Sequence, residues 1–264
     1  MDCQKSDAVL SVRGLVKRFT LHNLGGREIR GLDGVSLEVR SGEHVALAGG
    51  SGAGKSSLLK CVYRTYLPTT GQVLLRQASG ETVDLAAIED HEVADCRERD
   101  LGYVSQFLRS EPRRSTFDVV AQAGVRRGME PDAAREAAAA ALRRVAIEED
   151  LWGSYASLLS GGEKQRVNLA AGTIAAPRLL LLDEPVSALD PANRERVLDL
   201  IADLTTRGVA VLGVFHDLDA MRRLASRVVV LDRGRVVAEG APDDVLERLG
   251  RGADLAASNE ETSR

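Results

Sequence analysis

The segment EHVALAGGSGAGKSSLLKCVY constrains this chain more than any other. An apolar strand pattern runs into a glycine-rich loop and then directly into a helical pattern, and Gly49, Gly54, Lys55 and Ser56 fit GxxxxGK[ST]. Glycines let a backbone wrap a phosphate with its own amides, and the start of the next helix adds a favourable dipole. The loop Gly49, Gly50, Ser51, Gly52, Ala53 and Gly54, with Lys55, Ser56 and Ser57 behind it, is therefore the candidate nucleotide cradle. In it Lys55 reaches the terminal phosphates, Ser56 ligates Mg2+ and Ser57 holds the phosphate nearer the sugar. The competing reading is a glycine turn that merely starts a helix; strand, loop and helix in the required order weigh against it. Such a loop still serves kinases, GTPases and many other NTPases, so alone it sets the chemistry and not the function.

Two further segments narrow the choice. RLLLLDEP reads as a buried strand ending in Asp183 and Glu184. A carboxylate at the C-terminal edge of a parallel sheet lies where ligands bind, which suits Asp183 to hold Mg2+ through its water shell and Glu184 to orient an attacking water on the γ-phosphate. An ordinary strand-ending turn is the bland alternative. LLSGGEKQR places Ser160, Gly161, Gly162 and Glu163 before the helical pattern VNLAAGTIAA. Ser160 and Glu163 make a capping box whatever else they do. Two consecutive glycines are more than capping needs, and they allow another molecule's phosphate to approach the helix N-terminus.

Together these motifs resemble those of the ATP-binding-cassette ATPases. The resemblance covers about residues 9–240 and implies an α/β fold of the P-loop NTPase type: a mixed central sheet, an antiparallel β subdomain and an inserted helical subdomain. It implies ATP and Mg2+ as ligands, and a second cassette, most simply an identical one, whose Ser160, Gly161 and Gly162 complete the opposite ATP site. Gln106 in YVSQF then looks like the glutamine that senses Mg2+ and water, and His216 after VAVLGVF like the histidine that hydrogen-bonds the γ-phosphate. Asp190 in SALDP looks like the aspartate of the loop between the two cassettes, although Asp-Pro is also a good helix start. Phe19 falls where the family sets an aromatic ring, usually Tyr, against adenine; a plain core aromatic is the alternative.

Outside the motifs, FTLHN, YRTYLPTTGQV, YVSQFLRSEPRRS and GVFHDLD resemble the L-type ATPase family (PhnL) of the carbon–phosphorus lyase system. That resemblance implies an accessory ATP-hydrolysing subunit of phosphonate breakdown, in a system that makes ribose 1-methylphosphonate 5-triphosphate. Its partners would be the lyase core and another cassette subunit. The alternative is the ATP-binding subunit of a membrane transporter exporting lipoprotein or peptide, since RVVVLDRGRVVAEGAPDDVLERL has a shape common in transporter cassettes.

Composition bounds what remains. Of 264 residues, 35 are Lys or Arg and 39 Asp or Glu, a net charge of -4, so no global positive field points to nucleic acid or anionic lipid. Three scattered cysteines without metal spacing suit a reducing cytoplasm. No apolar run is long enough to span a bilayer, so work at a membrane would go through a partner rather than direct insertion. The expected organisation is one domain over 7–245, with helices inserted over about 90–175 and a flexible tail over 250–264. The stretch QFLRSEPRRSTF, with Arg109, Arg113 and Arg114 beside Phe107 and Leu108, is expected to be a protein interface.

Overall fold

The computed structural model describes residues 7–21, 27–105 and 113–249. Its centre is a six-stranded sheet whose inner strands are apolar at almost every position. β3 (His44–Ala48), β7 (Leu179–Asp183) and β8 (Ala210–Val214) are buried at all five of their residues. Strands covered on both faces need no polar side, and that is why they read as continuous runs instead of alternating ones. β6 (Leu101–Val104) and β9 (Arg227–Asp232) extend this parallel set, and β10 (Arg235–Gly240) closes it antiparallel, in the order β10-β9-β3-β8-β7-β6.

Successive side chains of these strands enter two different cores. Val45, Leu47, Leu179 and Leu181 pack on one side, while Ala46, Ala48, Leu180 and Leu182 pack on the other. The first core lies under a four-stranded antiparallel sheet of β1 (Ala8–Leu21), β2 (Arg27–Arg40), β4 (Thr70–Arg76) and β5 (Thr82–Asp84), ordered β2-β1-β4-β5. Helix α1 (Lys55–Val62) is wedged into it through Leu58, Leu59, Cys61 and Val62. The second core receives α6 (Pro191–Thr206), α7 (Leu218–Leu224) and a helical layer of α3 (Thr116–Arg126), α4 (Pro131–Arg144) and α5 (Gly161–Thr173). The alanine run of α4 buries Ala134, Ala138 and Leu142 at four-residue spacing, one stripe of an amphipathic helix.

The architecture is the mixed α/β arrangement expected from the sequence, with one boundary corrected. The inserted helical segment does not begin near residue 90. α2 (Asp90–Arg99) packs beside β6, Arg97 donates to the Tyr63 carbonyl (2.9 and 3.0 Å), and β6 pairs in register with β7. The chain therefore returns to the central sheet before the run of helices from Thr116 to Thr173. The tail 250–264 lies outside the described residues.

Candidate nucleotide site

Glycine 49 and glycine 54 are demanded by the fold itself. Gly49 has φ 133° and a side chain there would strike the Leu231 carbonyl at 2.1 Å; Gly54 has φ 108° and faces the Gly31 carbonyl at 2.6 Å. The loop is also pinned by the tight β9–β10 turn, where Gly234 N–H donates to Ala53 O (2.9 Å) and Asp33 N–H donates to Gly234 O (2.8 Å). Gly50 is different. It is exposed, its φ needs no glycine, and nothing lies within 4 Å of an added side chain.

Lys55 is buried at the start of α1, and its ammonium donates to the Gly49 and Gly50 carbonyls (2.6 and 2.9 Å). Burial lowers its pKa from the ordinary lysine value, opposed by the charges of Glu184 and Asp183. One residue on, Ser56 Oγ donates to Asp183 Oδ1 (3.1 Å), and Tyr103 OH donates to Asp183 Oδ2 (3.1 Å). A hydroxyl and a buried carboxylate side by side, next to a phosphate-sized loop, fit Mg2+, which takes one or two protein oxygens and fills its shell with water and phosphate. Among the described residues no group of three or more His, Cys, Asp or Glu side chains offers a self-sufficient metal cage.

Glu184 follows in a left-handed conformation, φ 56°, uncommon for a residue with a side chain. Its backbone is held there from several sides: its N–H donates to Val214 O (3.1 Å), and its carbonyl accepts from Gln165 Nε2 (2.5 Å) and Ser187 Oγ (3.2 Å). The side chain then meets His216, whose Nε2–H donates to Glu184 Oε1 at 2.8 Å, since an ionised carboxylate only accepts. One cavity of about 300 Å3 collects Ser51 to Ser57, Glu184, His216 and Phe19. Phe19 packs edge-on against Tyr66, ring centroids 5.2 Å apart, and is half-buried, so it is not sealed in a core.

The remaining expected residues divide. Ser160 caps α5, accepting from Glu163 N–H (3.3 Å) while its own N–H donates to Glu163 Oε2 (2.7 Å), and this pairing lowers the Glu163 pKa. Asp190 caps α6 by accepting from Asn193 N–H (3.0 Å) and Asn193 Nδ2 (2.6 Å), which lower its pKa. Both belong to the exposed motif surface and neither lines the Phe19 cavity. Gln106 lies outside the described residues.

Three residues given no role in the sequence reading turn out to join the parts. Gln165 is buried and bonds the Glu184 carbonyl with its amide N–H and the Ala188 N–H with its amide oxygen (3.0 Å). Asn168, one turn later, donates to Ser105 O (2.7 Å), and Tyr103 ties β6 to Asp183. No local pattern marks them, because each bond depends on which elements pack against α5 and β6.

The profile described as "ABC transporter" matches residues 32–187, more than half of the chain. The chain belongs to the ABC transporter family. Among its relatives is the "Methionine import ATP-binding protein MetN" of Histophilus somni (strain 129Pt), 33% identical over 239 residues, 90% of this chain and 66% of the relative. Another is the "Glycine betaine/proline betaine transport system ATP-binding protein ProV" of Escherichia coli (strain K12), 35% identical over 217 residues, 82% of this chain and 53% of that one. The chain thus spans between half and two thirds of the length of these curated relatives. A similar solved structure is the dimeric ATP-binding cassette MJ0796 in a post-hydrolysis state bound to ADP and Pi, with TM-score 0.81 and 26% identity, covering 88% of this chain and 98% of that one. These relatives are named for import and transport. They set the membrane-transporter alternative ahead of the carbon–phosphorus lyase resemblance, which rests on four short segments, and their names do not carry the expected export of lipoprotein or peptide.

Proposed function

We propose that this chain is the ATP-binding and ATP-hydrolysing subunit of a membrane importer, working in the cytoplasm as a pair of identical cassettes. The observation that carries the reading is a groove of about 610 Å3 between α1, α2, α3 and α5. Its walls include Tyr63, Arg97, Ala123 and Ala171, and it reaches inward to Tyr103 and Asp183. A short helix of a membrane partner seated there would press on Tyr103, which is bonded to the carboxylate of the nucleotide site. No described helix is long and apolar enough to cross a membrane, so the membrane-spanning part of such a transporter would be another chain or segment.

At the nucleotide, Phe19 offers its ring to the base and the Gly49–Gly54 amides surround the phosphates. Lys55 exchanges its two loop carbonyls for phosphate oxygens. Ser56 and Asp183 would hold Mg2+, which supplies charge neutralisation of the phosphates when bound. Glu184 orients the attacking water and accepts its proton, while His216 fixes the carboxylate and faces the same cavity. Gly161, exposed and with nothing within 4 Å of an added side chain, is free for the phosphate of a second copy, as the two-fold pairing requires.

The test is affinity purification of tagged Glu184→Gln with MgATP from solubilised membranes. The expected result is a stable cassette pair retaining a membrane-spanning protein, with turnover reduced about 10²–10⁴-fold. Recovery of soluble phosphonate-lyase subunits instead, with failure of a deletion strain to grow on methylphosphonate, would replace this reading by the lyase one.

A further inference from the structure

A second concavity, of about 490 Å3, lies on a different face of α3 from the groove just described. Asp118, Gln122 and Val125 line it at i, i+4 and i+7, whereas Ala123, Arg126 and Arg127 line the groove. Among the described residues its rim carries Arg113, Arg114 and Arg135 against one acid, Asp118, on a chain whose net charge is -4. Buried Ala121 and half-buried Val125 form its floor and the exposed Pro131 adds to its edge, so cations border an apolar surface.

Two of these cations, Arg113 and Arg135, are only partly committed among the described residues. Arg135 approaches Asp118 at 3.7 Å with both side chains more than half exposed, a weak pair in high dielectric. Asp118 already accepts from Ser115 Oγ (2.6 Å), and the Arg135 guanidinium rests on the Phe117 ring at 4.8 Å, which fixes its plane. The Arg113 guanidinium and the Gln122 amide make no hydrogen bond among the described residues. Arg113 also has φ 66°, an uncommon backbone state for a residue with a side chain.

We propose that this concavity binds an acidic, partly apolar peptide segment of the membrane partner, its carboxylates on Arg113 and Arg135 and an aliphatic side chain on the Val125 floor. The inference rests on the transporter reading, in which the same partner fills the adjoining groove and continues across α3. A guanidinium fork donates to phosphate as readily as to carboxylate. The apolar floor beside the cations, and its sharing of α3 with the groove, favour a peptide over a headgroup or free phosphate.

The experiment titrates full-length protein with a fluorescent peptide of alternating glutamate and leucine at low salt, beside phosphatidylserine vesicles and inorganic phosphate. Wild type is expected to bind the peptide. Arg113→Glu with Arg135→Glu should weaken it at least about tenfold, or about 1.4 kcal/mol. The milder Arg113→Ala should weaken it less, and basal ATPase activity should stay unchanged in both, which certifies the fold. Equal peptide affinity in wild type and the double variant, or binding of vesicles or phosphate without the peptide, overturns the proposal. In the co-purification experiment, the double substitution added to Glu184→Gln overturns it as well if the membrane protein is held as tightly as by Glu184→Gln alone. Glu184→Gln alone that captures no membrane protein sinks the transporter reading instead, and the peptide titration still decides the concavity.

Discussion

Gly161 and Gly162 stand side by side in one motif and answer to different physical demands. An added methyl at Gly162 would meet the Ala188 carbonyl at 2.9 Å, so that glycine lets α5 approach the segment between β7 and α6 within one chain. At Gly161 the same methyl meets nothing within 4 Å, and the backbone does not need glycine there. Gly162→Ala is therefore expected to destabilise the isolated protein by about 1–3 kcal/mol through overpacking against backbone. Gly161→Ala should stay within about 0.5 kcal/mol of wild type, as surface substitutions usually do. In a Glu184→Gln background, however, Gly161→Ala should weaken the MgATP-dependent pair seen by light scattering, because its methyl would occupy the path of the partner's phosphate. Urea denaturation that ranks the two variants the other way round would show that the motif's glycines serve the monomer alone. The same contrast holds in the phosphate loop, where Gly49 and Gly54 are fixed by backbone neighbours and Gly50 is not.

Elements carry the message between these residues. α5 is capped at Ser160, bonds the Glu184 turn through Gln165, and bonds the end of β6 through Asn168. Replacing Gln165 by Leu leaves the Ala188 N–H without its partner and frees one bond on the Glu184 carbonyl. The expected cost is about 0.5–1.5 kcal/mol of stability per hydrogen bond lost, because Ala188 is exposed and the Glu184 carbonyl keeps its bond from Ser187 Oγ. Because the strained φ of Glu184 loses a restraint, kcat should fall more than the affinity for MgATP changes; a rise in KM with unchanged kcat would assign Gln165 to binding instead. Little of this was legible beforehand. β3, β7 and β8 declared themselves as apolar runs bounded by helix signals; Asp183 and Glu184 stood out as carboxylates at a strand end, His216 stood out only through the family resemblance, and the fold brings all three to the glycine loop. Gln165 and Tyr103 could not be read, since their roles depend on which elements pack together, and a buried amide looks like any other glutamine in a helix. β6 was absorbed into a helical stretch because four residues between a charged helix and a polar loop give too short a period to recognise.

At the scale of the whole molecule, one sheet divides two cores, and the divide passes through a histidine. His44 begins β3 in the middle of the sheet, fully buried, its ring 5.4 Å from that of Phe215. Among the described residues neither ring nitrogen has a hydrogen-bond partner. Burial without a partner favours the neutral ring and pushes its pKa down to about 3 from the ordinary 6.5. The unfolded chain therefore takes up a proton near pH 6.5 that the folded chain refuses until about pH 3. The stability tied to a neutral His44 is fully present above pH 6.5 and is lost progressively as the pH falls below it. Between pH 7 and pH 5 the loss from this residue should be about 2 kcal/mol, a large share of the roughly 5–15 kcal/mol that holds a domain together. His44→Met keeps an apolar side chain of similar reach and removes the titration. Urea denaturation of wild type and variant without nucleotide, at pH 7, 6 and 5, should show the variant gaining relative stability toward acid by that amount. Parallel pH profiles for the two proteins would mean that His44 finds a partner in solution and is not the acid-sensitive point of the sheet.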